Sequence, residues 1–352
     1  MQKKRLFYLG LAALVAWGSI AAWTNYLSMP QRRELAAAKL GLPPIAGDWY
    51  YADMKSGNET SDGYLPTTAV CSLKTAYKKC VSGRGDGVAL LPDSTSYTFT
   101  VATTCTLNRM NSTIFGVTAN GNPYFNRVRV TGSATTKAAS ISPLFLLTAQ
   151  GISLINIHAN NEDSLGYRAV KIAPTSCRNY FENCHFIGAS KASEAADSLT
   201  ACAVCCSSSS ENLFKHCWLG TNSTPYDGIK GDMGVISLTG AQGQNYFEDC
   251  YVLLQSTDNN DCFPILRGAD GTTIGYTVFK NCAFIAHYPA ETPATQQAVV
   301  GGAAQASPGL LFMNCAYVGC AELDEADDDN CYINGNNATF LDSCAHASPT
   351  PR

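Results

Sequence analysis

The chain has 352 residues, 15% of them charged, and a formal net charge of −4. That length suits one elongated domain with a terminal piece. Its few, dispersed Lys and Arg leave no nucleic-acid footprint, and sixteen Cys in so long a chain exclude a small disulfide scaffold.

Lys3-Lys4-Arg5 opens the chain, followed by an apolar run from Leu6 to Trp23. A basic start, an apolar core and the small-residue stretch Ser19-Ile20-Ala21 suit a secretory signal. The run is also long enough for a membrane span, and a third reading is a hydrophobic arm that is retained. A membrane contact is expected only if residues 6–23 act as signal or anchor. Leu27 to Leu40 reads as one short amphipathic helix, with Pro30 near its start and Gly41 closing it. Pro43-Pro44 then makes a stiff linker. Residues 1–47 are assigned to this arm and linker, 48–345 to the main domain and 346–352 to a polar tail.

Trp49–Asp53 reads as a first strand, followed by a polar loop to Gly63. Thr68–Cys80 is amphipathic, with Val70, Leu73, Ala76 and Tyr77 on one face, and predicts a helix that caps an open end. Gly83–Gly87 is a tight turn into strand Val88–Leu91. Its Arg84-Gly85-Asp86 matches an integrin tripeptide, which chance explains. Tyr97–Phe99, Ser112–Val117 and Arg127–Val130 continue as strands.

The second half repeats one phrase. It reads Phe181-Glu182-Asn183-Cys184-His185-Phe186, and Phe214, Phe247, Phe279 and Phe312 open the later copies. The ladder cysteines Cys184, Cys217, Cys250, Cys282 and Cys315 are spaced by 33, 33, 32 and 33 residues. A fixed period of this size means a solenoid, propeller or array. The position before each Cys holds Asn183, His216, Asp249, Asn281 and Asn314, all residue types enriched in the left-handed α region. One such residue bends a strand sharply and resets its alternation, so Phe181 and Cys184 both point inward across the corner. A second apolar run precedes each copy: Ala169–Ala173, Ala201–Cys205, Gly234–Leu238, Phe263–Arg267 and Ala298–Gly302. Leu154-Ile155-Asn156-Ile157 reads as an earlier coil with Ile in the Cys place, and Leu341–Cys344 as a fading last one. Side chains in register on parallel strands point the same way, so mostly reduced thiols are expected, which suits assembly in a cytoplasm.

This pattern resembles the single-stranded right-handed parallel β-helix of the pectate-lyase-like superfamily, over roughly Gly63 to Cys344. Within it, residues 48–145 form the cap and first coils and 146–345 the regular coils of about 33 residues. The order of capping helix, glycine turn, apolar strand and Ile-x-Gly strand resembles virion proteins of tailed bacteriophages and secreted polysaccharide lyases.

Polygalacturonase-like members resemble one another in Asn-Thr-Asp, Asp-Asp, Gly-His-Gly and Arg-Ile-Lys segments, and that set does not occur here. Pectate-lyase-like sites resemble one another in aspartates for calcium beside a basic residue. Asp227, Lys230, Asp232 and Arg267 are the weak candidates for such a catalytic group; a solenoid more often carries such residues as solvated turns. The acidic run Glu322–Asp329 lacks the spaced ligands of a calcium loop. Cys202-x-x-Cys205 lacks the second pair that zinc needs, and reads as core packing with an exposed thiol among its members. No metal or cofactor is expected. Trp218 and Tyr251 take the outward slot after the ladder Cys, and His158 and His185 share it in earlier coils. Outward apolar residues mark interfaces, so Trp218 and Tyr251 are read as contacts of a homotrimer. The sum is a non-enzymatic bacteriophage virion protein at the particle surface: a capsid decoration, fibre or spike-like β-helix attached to capsid or other virion proteins by its N-terminal arm. The alternative is a secreted or tailspike-like polysaccharide lyase or hydrolase, or a glycan-binding adhesin.

Overall fold

The computed structural model describes residues 28–92, 98–117, 127–132, 143–161, 168–188, 202–220, 233–240, 243–255, 262–267, 276–287, 298–302, 309–320, 331–334 and 340–341. Among them, three parallel sheets wind into a β-helix. The first sheet has ten strands, from Trp49–Ala52 to Cys331–Asn334, and contains the Phe of every repeat. The second has nine, from Thr98–Val101 to Phe340–Leu341, and starts just after the ladder Cys. The third has seven, from Cys105–Leu107 to Val300–Gly302, and contains the second apolar run of each period.

Register follows the repeat. Phe181 pairs with Phe214, Phe214 with Phe247, Phe247 with Phe279 and Phe279 with Phe312. Their rings stack at 4.3–5.2 Å within 16° of parallel. Strands about 4.8 Å apart impose that spacing on any side chain repeated in register. All five rings are buried, as are the five ladder cysteines, whose thiols are free.

The corners have the left-handed backbone expected of them. Asn156, Asn183, His216, Asp249, Asn281 and Asn314 have φ between 49° and 58°. Their amides run up the stack: Asn183 Nδ2 donates to Asn156 Oδ1 (2.7 Å), Asn281 to Asp249 (3.0 Å) and Asn314 to Asn281 (2.9 Å). A second ladder, not foreseen, lies inside. Asn179, Asn212 and Asn245, each two residues before a ladder Phe, are buried. Each of the first two donates Nδ2 to the next one's Oδ1 at 2.7 Å. Inward amides at strand starts are stable only because each satisfies its neighbour.

Two helices close the N-terminal end. Helix α1, Met29–Lys39, begins at Ser28, whose backbone N–H donates to Gln31 Oε1, and ends before Gly41 at φ 64°. It lays Ala36, Ala37 and Leu40 on a cluster built from Leu42, Trp49, Tyr51, Ala69, Ala89 and Val117. Arg33 pins it through Asp48 at 3.1 Å and lies 3.5 Å over the Tyr64 ring. Pro43-Pro44 is thus bracketed by the buried Leu42 and by Ile45, which packs on the same cluster.

Helix α2 is shorter than Thr68–Cys80: it spans Leu73–Lys79, capped by Ser72, whose Oγ accepts from Thr75 N–H. Val70 is not on its face. It forms a parallel bridge with Ala52, because that backbone extends the first sheet's edge before Ser72 can start a helix. The first strand ends at Ala52, one residue early. The fading last coil is also corrected. Ile333, not Leu341, pairs with Phe312, and Leu341 pairs with Val318 in the second sheet. Cys344 lies outside the described residues. Arg84-Gly85-Asp86 is an internal ion pair: Asp86 is fully buried, held by Arg84 at 2.6 Å and by the N–H groups of Val81 and Asp48.

Candidate functional site

The outer face of the second sheet has one continuous column of rings. Alternation after each corner turns the residue following the ladder Cys outward, and parallel register stacks it. Arg129 pairs with His158, His158 with His185, His185 with Trp218, and Trp218 with Tyr251. His158 and His185 stack at 4.5 Å; His185 meets Trp218 edge-on at 5.9 Å; Trp218 and Tyr251 tilt together at 5.6 Å. The column then thins to Ala283 and Ala316. Exposure rises along it, to 37% at Trp218 and 45% at Tyr251.

Its N-terminal end is cationic and partly buried. Arg127 sits with its guanidinium carbon 5.5 Å from the Trp218 ring centre, in cation–π range. It donates to Asn183 O (2.7 Å) and Asn183 Oδ1 (2.9 Å), which ties the column to the corner ladder. His185 Nε2 meets Gly220 O at 3.0 Å, so it is the protonated nitrogen. Burial, then the charges of His185, Arg129 and Arg127, push the His158 imidazole down to about 3. His158 is therefore neutral at physiological pH.

Beside the exposed end runs a shallow groove of about 340 Å³. Asp249, Asn281 and Asn314 form one wall and Tyr251, Ala283 and Ala316 the other. His216 Nε2 lies 3.3 Å from Asp249 Oδ2. On the neighbouring face of the first sheet, Glu182, Lys215, Glu248 and Lys280 alternate in register, and Lys280 pairs with Glu248 at 2.9 Å. The arrangement offers aromatic faces and amides in a regular row.

Of the weak catalytic candidates, Asp227, Lys230 and Asp232 lie outside the described residues. Arg267 ends the strand Cys262–Arg267, its backbone opposite Leu238 and Gly302. Cys202, Cys205 and Cys206 are all buried, so the exposed thiol expected among them is absent: five of the six residues of that strand are covered. The sequence placed Trp218, Tyr251, His158 and His185 in one outward slot, and the structure brings them together. It missed Arg127, which no repeat marks, and the inner Asn ladder, which the recurrence of Asn at Asn179, Asn212 and Asn245 does mark.

No protein-family model and no curated protein matches the chain. Solved structures do. The pectate lyase Pel9A is similar over 80% of this chain with a TM-score of 0.56 and 15% identity, and the chain spans 65% of that lyase. A pectin methylesterase solved in complex with a hexasaccharide is similar over 84% of this chain and 93% of its own, with a TM-score of 0.50 and 12% identity. The Dettilon tailspike protein gives 0.44 at 9% identity, over 77% of this chain and 50% of its own. At such identities the likeness is one of fold: the chain is a right-handed parallel β-helix of the kind seen in pectate lyase and pectin methylesterase.

Proposed function

We propose that the chain is a non-enzymatic structural protein of a bacteriophage particle, a surface β-helix that assembles as a homotrimer through its aromatic column. The observation that carries this reading is the exposure of Trp218 and Tyr251 side by side on one straight face. Two large rings left in water on a stacked scaffold are the kind of anchor that interfaces bury. The outer charges of the first sheet support it too, since Lys280 and Glu248 neutralise each other rather than aim at a bound group. Replacing both rings, Trp218→Ser with Tyr251→Ser, shifts the native mass from trimer to monomer with the fold kept. An unchanged mass sinks the assembly, and a wild-type monomer sinks it sooner.

A second reading is favoured by the groove beside Tyr251. Its row of amides and a carboxylate suits the hydroxyls of a sugar chain stacked on the rings, as in a glycan-binding adhesin or a polysaccharide lyase or hydrolase. Retention on a glycan panel that the same double substitution abolishes supports binding. Release of unsaturated, ultraviolet-absorbing products would make the protein an enzyme and end the first reading.

A further inference from the structure

The third sheet starts in the same coil as the second, one coil later than the first. Its first strand, Cys105–Leu107, pairs on one side with Phe145–Leu147, and among the described residues no strand pairs with its other side. Cys105 N–H donates to Leu144 O at 2.8 Å, and Leu107 O accepts from Thr148 N–H at 2.9 Å. Parallel ladders alternate, so Cys105 and Leu107 direct their groups at the next coil. The intervening Thr106 turns its N–H and C=O to the free edge.

A cavity of about 280 Å³ opens at that edge, between α2 and residues 104–109. Its floor is apolar: Leu73, Tyr77, Cys105 and Leu107 are buried. Its rim is cationic, formed by Lys74, Lys78 and Arg109, and among the described residues no carboxylate lines it. Lys74 Nζ contacts Thr103 Oγ1. Glu59, whose charge is near Lys78, accepts instead from Cys71 Sγ and lies outside the lining. Arg109 Nε is buried without a partner among the described residues, although the Arg109 backbone N–H donates to Tyr77 Oη at 2.8 Å.

We propose that this slot takes an extended acidic peptide as an added strand, its backbone pairing with Thr106 and its carboxylates meeting Lys74, Lys78 and Arg109. A free anion answers only half of the site, because a carboxylate accepts and cannot donate to Thr106 C=O. An added strand supplies both a donor and an acceptor, as in other sheet-edge complexes. Alternation turns its middle side chain toward the apolar floor and leaves its neighbours for the cationic rim. The recognised pattern is therefore acidic, apolar, acidic.

That pattern occurs in this chain as Glu322-Leu323-Asp324, so a labelled peptide with the sequence of residues 321–330 is a fitting probe. Fluorescence anisotropy against the full chain shows saturable binding that weakens at high salt. Lys74→Glu with Lys78→Glu weakens it at least about tenfold, which is about 1.4 kcal/mol. Thr106→Pro removes the free N–H at an edge position that tolerates Pro and weakens binding with the melting temperature unchanged. Equal binding by the Asn/Gln version of the peptide overturns the proposal, and so does wild-type affinity in the double-Glu variant. Competition by succinate at matched carboxylate concentration also overturns it, since that outcome describes a point-anion site without a strand.

Discussion

Cys250 donates its S–H to the carbonyl oxygen of Phe214, one coil earlier, at 3.5 Å. Cys217 does the same to Phe181, Cys282 to Phe247 and Cys315 to Phe279. The thiol is thus a small core side chain with one weak donor, used to tie each corner to the coil before it. Burial pushes the Cys184 and Cys250 thiols well above their ordinary range. Iodoacetamide at pH 8 leaves the five ladder cysteines of the native chain unmodified and labels them in urea, read by peptide mass mapping. Native labelling of Cys250 would contradict the inward placement.

Asn281 is a corner that only a few residue types accept. Asn281→Leu loses its donation to Asp249 and its acceptance from Asn314, and forces a large side chain into φ 53°. The expected cost is about 1–3 kcal/mol, measured by urea unfolding. Asn281→Gly, which keeps the backbone freedom, costs less than Asn281→Leu.

Asn212 sits between two buried amides. Asn212→Ala removes the acceptor of Asn179 N–H and Nδ2 and the side-chain donor to Asn245 Oδ1. That leaves only Ser176 Oγ for Asn179 Nδ2 and the backbone N–H of residue 212 for Asn245 Oδ1, at a cost of about 1–3 kcal/mol. Phe247→Ala is expected to cost about 3–5 kcal/mol, whereas its exposed neighbour Tyr246→Ser stays near neutral.

His158 makes stability depend on pH. Its folded pKa is pushed down to about 3, below the unfolded value near 6.5. Between those values the unfolded chain binds more protons, so stability is complete above pH 6.5 and falls as pH drops toward 3. The slope is at most about 1.4 kcal/mol per pH unit. Melting temperature therefore declines from pH 7 to pH 5, and His158→Asn flattens that stretch. An equally steep profile in His158→Asn assigns the loss to other groups.

The Phe-x-Asn-Cys phrase determined the architecture because a parallel stack turns a sequence period into spatial register: every coil repeats the same corner, and Phe, Cys and Asn recur because their environments do. The outward slot was legible for the same reason, as it is one residue past the corner. Four features needed the tertiary structure. Val70 left the helix assigned to it because the edge at Ala52 offered its backbone a bridge, a competition that local amphipathicity does not express. The last coil moved from Leu341 to Ile333, where the repeat has faded and pairing alone sets register. Arg127 over Trp218, and the cationic slot where α2 meets the first strand of the third sheet, join residues with no common period. Repetition reports what each coil shares, and binding surfaces arise where coils differ or end.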